Sequence, residues 1–426
     1  MKMTQYQKFV IGLLAFLQFT VILDFMILSP LGAVLLPELH VATSQFGLLV
    51  SVYAFSAGIS GLLTAGFADK FDRKKLLLFF YAGFILGTAL CGVATSYHFL
   101  LAARIVTGLF GGVIGSIGMA IATDLFPLEM RGRVMGVVQT AFAASQVMGL
   151  PLGLYLSNLW GWHAPFLMIA GIGAAVGVVI IYGLKPVDAH LKIQNDRNPF
   201  QHLMKSVTNP IYLRGFAATI LLATGGFMLM PFGSAFTVNN LGISLKSLPV
   251  IYLVTGVSSI IAGPLLGRLS DSIGKFPVFS FGSAFGVVMV TIYCHLGITP
   301  LWAVILVNVL LFMCISARMV ATSALISAVP EATDRGAFMS VNSSLQQFAG
   351  GLSSGIAGLV VVQTTSGKLE RYDKLGYIVG AAMLMTIALM YSVHKIVAAK
   401  AAQARGPKQP IESQQSTGES AALAAE

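Results

Sequence analysis

The sequence predicts an all-α integral membrane fold, with twelve transmembrane helices in two pseudo-symmetric six-helix bundles. Three observations carry this expectation. The 426-residue chain is 56% hydrophobic and only 10% charged, against roughly 25% charged in soluble domains. Its apolar residues fall in blocks of about 20, the length that crosses a bilayer as a helix. A charged signature also occurs twice between apolar blocks, first as Asp69-Lys70-Phe71-Asp72-Arg73-Lys74-Lys75 and again as Gly267-Arg268-Leu269-Ser270-Asp271-Ser272-Ile273-Gly274-Lys275. Pro127 with Arg131-Gly132 trails the first copy, and Pro330 with Arg335-Gly336 trails the second. Asp69 to Arg131 is 62 residues and Asp271 to Arg335 is 64. Two landmarks at nearly one spacing mark a duplicated half, and a duplicated many-span chain is the outline of a solute transporter.

Taken in order, the apolar blocks place spans at 9–35, 46–66, 76–96, 99–123, 134–157, 164–184, 215–236, 248–267, 277–297, 300–326, 337–362 and 376–396. Lys2 and Lys8 ahead of the first block mimic a signal peptide. No small-x-small cleavage site follows, so span 1 reads as an uncleaved helix. Span 4 carries Gly108, Gly111, Gly112, Gly115 and Gly118 at helical spacing, a surface that lets helix backbones approach closely. The polar stretch with Lys185, Lys192, Arg197 and Lys205 separates the halves. The expected organisation is an N-terminal bundle over 1–184, a cytoplasmic linker over 185–213 and a C-terminal bundle over 214–396. A disordered cytoplasmic tail over 397–426, rich in Ala, Gln, Ser and Lys, completes it.

Twelve spans put both termini on one side. The turns after spans 2, 4, 6, 8 and 10 share that side and hold Arg73, Lys74, Lys75, Arg131, Arg133, Lys275 and Arg335, whereas the opposite loops carry Lys246 and the mixed-charge stretch from Lys368 to Lys374. The positive-inside bias makes the basic side cytoplasmic, termini included. It also accounts for the net charge of +10 without a nucleic-acid partner. Trp160, Trp162 and Trp302 fall at the other face, as interface aromatics. Cys91, Cys294 and Cys314 lie in apolar segments without metal-ligand spacing. No Gly-x-x-x-x-Gly-Lys-Ser/Thr sequence, no His/Cys metal cluster and no Gly-x-Ser-x-Gly elbow with a usable triad is present. The expectation is a non-enzyme with no cofactor and no metal.

The loop after span 2 resembles the Gly-x-x-x-Asp-x-x-Gly-Arg-Lys motif of the major facilitator superfamily. Asp69 stands for its Asp, and Arg73, Lys74 and Lys75 for its basic run. Ala65 and Asp72 stand where the motif has glycine, whereas the second copy keeps Gly267 and Gly274. The resemblance covers 1–396. Within the superfamily the chain is most similar to the bacterial twelve-span drug:proton antiporters, including sugar-efflux permeases. Arg104 in Leu101-Ala102-Ala103-Arg104-Ile105-Val106-Thr107-Gly108 resembles their Arg-x-x-x-Gly motif of span 4, and Leu23-Asp24 followed by Pro30 and Pro37 resembles their acidic segment of span 1. Of their span-5 motif, Gly149, Pro151 and Gly153 remain, out of register. The resemblance implies a central cavity lined by spans 1, 4, 7 and 10, alternating access, and a multi-pass protein of the bacterial inner membrane, expected as a monomer. The implied activity is proton-coupled efflux of a drug or metabolite. Proton-coupled symport or facilitated import is the alternative, and a membrane enzyme or sensor is the reading from another class. The expected partners are a small-molecule substrate, protons and the lipid bilayer.

Three ionisable residues lie well inside the spans: Asp24, Arg104 and Arg318. Charges at membrane depth face a cavity or a partner. Asp24 is about 15 residues into span 1, roughly 22 Å from the cytoplasmic end, and Arg104 is roughly 8 Å from the outside in span 4. Across a hydrocarbon core of roughly 30 Å these depths match, so the two are expected to face each other. Burial favours a neutral carboxyl and a nearby arginine favours a charged one. Asp24 with Arg104 is therefore the proton-coupling candidate, and a static tie between spans 1 and 4 is the competing reading. Arg318, toward the cytoplasmic third of span 10, either binds an anionic group or snorkels to the interface. Further cavity candidates are Gln18, Tyr53, Gln139, Gln146, Met228, Tyr252, Asn308, Asn342 and Gln346. Gln139 and Gln146 share one face of span 5, and Asn342 and Gln346 one face of span 11. A gating role is expected of Asp69, Arg73, Asp124, Arg131, Asp271, Lys275 and Arg335, with Asp69 placed to cap the next helix. Solvated loop charges are the alternative. The acid points to a proton or cation and the arginines to an anion, so the substrate stays open.

Overall fold

Each apolar block folds as a helix because a backbone in hydrocarbon must satisfy its own N–H and C=O groups. The structure, a computed structural model, describes residues 3–65, 68–188, 191, 207–331 and 334–404. Its first half runs α1 (Gln5–Ile27), α2 (Gly32–Glu38), α3 (Thr43–Ala65), α4 (Arg73–Gly92), α5 (Tyr97–Leu125), α6 (Leu128–Ala144), α7 (Leu150–Trp160) and α8 (His163–Gly183). The second half runs α9 (Pro210–Phe227), α10 (Gly233–Asn239), α11 (Leu248–Ile273), α12 (Lys275–His295), α13 (Leu301–Ser327), α14 (Arg335–Val360) and α15 (Tyr372–Ala404). An antiparallel hairpin of β1 (Val362–Gln363) and β2 (Leu369–Glu370) precedes α15. Among the described residues, 11 helical stretches are long and apolar enough to cross a membrane. The twelfth span is α14, which has the length, 26 residues. It is more polar because Asn342, Ser344, Ser353 and Ser354 are buried against protein instead of facing lipid.

Local chemistry sets the helix ends. Thr4 and Gln7 form a reciprocal capping box at the start of α1. Ser96 caps α5 through the Phe99 N–H, and Asn209 caps α9 with Pro210 in its first turn. The cap of α4 is Asp72. The Asp72 carboxylate accepts from the Lys74 N–H at 2.7 Å and from the Val187 N–H at 3.2 Å. An N-cap side chain reaches the N–H two or three residues on, and Asp72, at a glycine position of the motif, stands two residues before Lys74.

Four expectations need correction. Spans 1 and 7 are not continuous. α1 stops at Ile27 and resumes as α2, and α9 stops at Phe227 and resumes as α10 after a 3-10 turn at Met230–Phe232. Pro30 and Pro231 stand at both breaks, where proline lacks the N–H that a continuing α-helix needs. Span 5 contains a π-turn at Ser145–Gly149. The last helix does not end near 396 but continues to Ala404, where Ala-rich sequence favours helix. Lys400 Nζ there donates to the Val329 carbonyl at 2.7 Å and to Glu331 Oε1 at 2.6 Å. Trp160 and Trp302 are 72% and 70% exposed, but Trp162 is buried, stacked on His163 and edge-on to Phe166.

The apolar core shows how the halves meet. At the end that carries the termini and the basic loops there are two separate cores, one within each half. The first gathers Val10, Leu14, Leu77, Phe84, Ile117 and Ile180; the second gathers Phe216, Phe279, Ala321, Phe338 and Val393. At the opposite end a single core takes residues from both halves, among them Leu28, Leu35, Phe46, Phe232, Phe236 and Tyr293. The seam at that end is built from small residues and hydroxyls. Thr43 Oγ1 donates to the Val361 carbonyl at 2.6 Å and Ser51 Oγ to the Gly351 carbonyl at 2.7 Å, joining α3 to α14. At Gly47 a Cβ would stand 2.8 Å from the Ser354 oxygen and 2.9 Å from Gly358 Cα, so only glycine allows this approach. Ser234 Oγ donates to the Ser29 carbonyl at 2.9 Å and accepts from the Ala33 N–H at 3.3 Å, joining α10 to the turn before α2. The π-turn packs on Gly256 of α11, and Asn158 Nδ2 donates to the Leu245 carbonyl at 3.3 Å. The basic-end half of span 5, α6, makes little contact with α11, while α3 and α14 stay close as far as Gly61 and Ser344. The halves are thus closed together at the end opposite the termini and divided into separate cores at the basic end.

Candidate functional site

The glycine stripe of α5 positions the central cluster. At Gly108 and Gly112 a Cβ would collide with the backbone of Tyr53 and Ala57, so α3 lies directly on α5. On the other side, Gly87 of α4 lets Thr107 of α5 approach so closely that a Cβ there would stand 2.7 Å from its Oγ1. Three helices converge in this way on Asp24 of α1.

Asp24 and Arg104 are both fully buried, and Arg104 Nη1 lies 2.9 Å from Asp24 Oδ2. The same nitrogen donates to the Asp24 carbonyl at 3.2 Å. Thr88 Oγ1 donates to Asp24 Oδ1 at 3.0 Å. The Tyr53 ring lies under the guanidinium, 4.4 Å from ring centre to Arg104 Cζ, a cation–π contact. Arg104 Nε has no hydrogen-bond partner. Two ions out of water survive only if each is paired and bonded. Here the carboxylate uses both oxygens, whereas the guanidinium leaves its Nε–H unmet. Such a carboxyl can take up and release a proton, with the arginine as a fixed counter-charge. The sequence placed Asp24, Arg104 and Tyr53 as candidates. It did not single out Thr88, whose only signal is its place among apolar neighbours in span 3.

The other cavity candidates do not join this cluster. Gln18 is half-buried on α1 beside Gly115, one to two turns toward the basic end. Gln146 is buried in the π-turn against Gly256. Asn342 accepts from Thr219 Oγ1 at 2.7 Å, tying α14 to α9. Asn308 spends its amide on the Val304 carbonyl of its own helix at 2.9 Å. Tyr252 and Gln346 are half-buried. Met228 is a correction: the break in span 7 folds it into the shared core, buried, with no surface for a solute in this conformation. The side chain of Gln139 lies outside the described residues.

Arg318 is 3% exposed, so it does not snorkel. Its guanidinium sits over the Phe279 ring, 5.7 Å from Cζ to the centroid, and faces Gly225 of α9.

Of the gating candidates, Arg73 Nε bonds Asp124 Oδ2 at 3.3 Å, and its Nη1 donates to the Ala68 carbonyl at 3.1 Å. This pair ties α4 to the end of α5 within one bundle. Lys275 and Asp271 form an exposed pair at 3.3 Å, one helical turn apart in sequence. Neither pair crosses between the halves. The side chains of Asp69, Arg131 and Arg335 lie outside the described residues. Among the described residues no group of three or more His, Cys, Asp or Glu is placed to hold a metal ion.

Comparison with known proteins agrees with this architecture. The sequence model described as Major Facilitator Superfamily matches residues 14–354. The uncharacterized MFS-type transporter YceJ of Bacillus subtilis (strain 168) is 26% identical over 263 residues, 61% of this chain and 66% of YceJ. YbcL, an uncharacterized MFS-type transporter of the same organism, is 23% identical over 341 residues, 80% of this chain and 86% of YbcL. The match thus spans just under two thirds of YceJ and most of YbcL. Among solved structures, a bacterial homologue of the human lysosomal transporter Spinster, in an inward-facing and occupied conformation, has a TM-score of 0.68 at 15% identity, covering 94% of this chain and 98% of that one. A point mutant of the nucleoside transporter NupG has a TM-score of 0.73 at 12% identity, covering 91% and 99%. At these identities the structural likeness concerns the fold.

Proposed function

Because this chain belongs to the major facilitator superfamily, whose members move small molecules across the bilayer by alternating access, we propose that it is a proton-coupled exporter. In this reading one small organic solute leaves the cell as protons enter through Asp24. The observation that carries the reading is the fully buried Asp24–Arg104 pair, 2.9 Å apart inside one bundle. A buried ion pair is a poor source of stability, and ionisable groups at membrane depth mark ion pathways. Protonation of Asp24 removes the charge that Arg104 needs, so the pair exists in two states that differ by one proton. Coupling requires that these states favour different arrangements of the two halves.

In this reading the basic end, termini included, is cytoplasmic, as the positive-inside bias supports, and the chain works as a monomer in the bacterial inner membrane. In that orientation the shared core seals the outer side, and the divided cores belong to an inward-facing state. Arg73 and Asp124 then brace the cytoplasmic end of the N-terminal bundle while it rocks as a unit. Proton-coupled symport or facilitated import is the second reading. It is favoured by the out-of-register Gly149, Pro151 and Gly153 and by the π-turn that ends at Gly149.

Everted vesicles decide between them. With an imposed acid interior, an exporter takes up its solute and the solute discharges the gradient. Uptake independent of the gradient, or driven by the opposite one, overturns the efflux reading. The Asp24→Asn protein, present in the membrane at wild-type level, is expected to lose the pH-driven component.

A further inference from the structure

The two halves treat their buried arginines differently. Pro30-Leu31-Gly32 and Pro231-Phe232-Gly233 break spans 1 and 7 in the same way, 201 residues apart. By that offset, the position equivalent to Asp24 is Gly225. In the N-terminal half this position carries the carboxylate that pairs with Arg104. In the C-terminal half it carries no side chain, yet an arginine again faces it. A Cβ at Gly225 would stand 3.7 Å from Arg318 Nη1 and 3.9 Å from Nη2.

Arg318 is as buried as a core residue, but its Nε and Nη2 have no hydrogen-bond partner, and no carboxylate pairs with it among the described residues. The buried hydroxyl of Thr322, one turn along α13, is also unpartnered, as is that of Ser283 on α12. A buried guanidinium without an anion is costly and persists where something else supplies the anion. The planar fork of arginine fits a carboxylate through two parallel bonds. Around it the surface is apolar: the Phe279 ring lies beneath Cζ, and Met383 Cγ is 3.8 Å from the Gly225 Cβ position. At Gly225 itself the three nearest atoms to a Cβ are 3.7–3.9 Å away, ordinary contact distance, so the glycine leaves space for one small group against the guanidinium.

We propose that the C-terminal bundle binds the carboxylate of a small amphipathic organic anion at Arg318, over Gly225, where the N-terminal bundle holds Asp24. This deepens the transport reading, on which it rests, by naming the substrate class. The solute carries the anion that the second half lacks, and one bundle handles the proton while the other handles the cargo. Arg318 is covered in the present conformation, so the site is reached when the helices around its guanidinium move apart during the transport cycle.

The test is binding without any gradient. The full-length protein in nanodiscs is heated with benzoate or phenylacetate at roughly millimolar concentration, the range expected for ligands of this size, and with the matching amides. Both acids are expected to raise the unfolding midpoint and neither amide to do so. Arg318→Gln is expected to weaken the response at least about tenfold, the scale of one charge-assisted bond. Arg318→Lys, which keeps the charge and loses the fork, falls between. Gly225→Asp supplies an internal carboxylate at a position with room for a Cβ, and is expected to abolish the response. No response of the wild-type protein to the acids, an equal response to the amides, or a response that survives in Gly225→Asp or Arg318→Gln overturns the proposal. The acid-versus-amide contrast and Gly225→Asp still decide if Arg318→Gln does not fold. Because no pH gradient is present, failure here leaves proton coupling through Asp24 untouched, and loss of coupling in Asp24→Asn leaves this test standing.

Discussion

Replacing Asp24 by Asn removes one charge and keeps nearly the same shape. The carboxylate lies 2.9 Å from Arg104 Nη1. At an effective dielectric of about 20, that separation corresponds to about 6 kcal/mol of attraction. Much of it offsets the desolvation of two ions, and breaking a buried pair from one side costs about 3–5 kcal/mol in net stability. Asparagine still offers its one oxygen to Arg104, and its amide N–H can donate to the Thr88 hydroxyl, so the loss belongs at the lower end, about 3 kcal/mol, or more than a hundredfold in the folded-to-unfolded ratio. Equilibrium unfolding in detergent reads this directly. The double variant Asp24→Asn/Arg104→Gln is expected to lose less than the sum of the single losses, with a coupling of about 2 kcal/mol. In vesicles Asp24→Asn is expected to retain solute exchange and to lose its dependence on the pH gradient. Additive single losses would show that the pair does not interact. Retained pH-driven flux in a stable Asp24→Asn protein would remove Asp24 from the coupling step.

Two other perturbations test the seam and the signature loop. Gly47→Val places carbon where the Ser354 oxygen and Gly358 Cα already stand, at 2.8 and 2.9 Å from the first added atom. It is expected to hold the closed end open, so that a cysteine introduced at Ser29 reacts with a membrane-impermeant thiol reagent; unchanged protection would show that α3 and α14 do not control closure. Asp72→Ala removes the cap of α4 and the bond to the Val187 N–H, and is expected to cost about 1–2 kcal/mol. Asp72→Asn is expected to recover most of that by unfolding measurements, and a neutral Asp72→Ala would refute the capping role.

Most of the architecture was legible because a bilayer leaves a chain few choices. Twenty apolar residues must form a helix, and a repeated signature at repeated spacing must mark repeated halves. The Asp24–Arg104 encounter was legible for the same reason: two charges at equal depth in hydrocarbon need each other. The breaks at Pro30 and Pro231 were missed because hydropathy does not register backbone geometry, although each proline followed by glycine two residues later was there to read. Met228 was misplaced because its surroundings depend on where a broken helix folds back, and Trp162 because its burial depends on tertiary packing at the start of α8; no span count contains either. α14 was recognised as a span, but its polarity is explained only by the partner helix that buries Ser353 and Ser354. The approach of Arg318 to Gly225 was invisible in the sequence.

If the proton is handled in one half and the solute in the other, something must join them, and the contacts of Phe25 supply a route. Phe25 follows Asp24 directly. Its ring is 5.2 Å from that of Tyr53, which lies under Arg104, and 5.8 Å from that of Phe227, edge-on across the divide between the halves. Phe227 is two residues beyond Gly225, and its carbonyl accepts from Ser354 of α14 at 3.2 Å. A change in the Asp24–Arg104 pair thus meets the other half through two aromatic contacts, each worth about 0.5–1.5 kcal/mol. That is the scale of typical coupling energies. Phe25→Leu keeps most of the volume and removes both ring contacts, avoiding the cavity of an alanine substitution. The expected result is a stable protein that still exchanges solute but moves fewer protons per solute, read as gradient discharge against solute flux in the same vesicles. An unchanged ratio would mean that the two halves communicate along the α3–α14 seam instead, where Ser51 and Gly351 already meet.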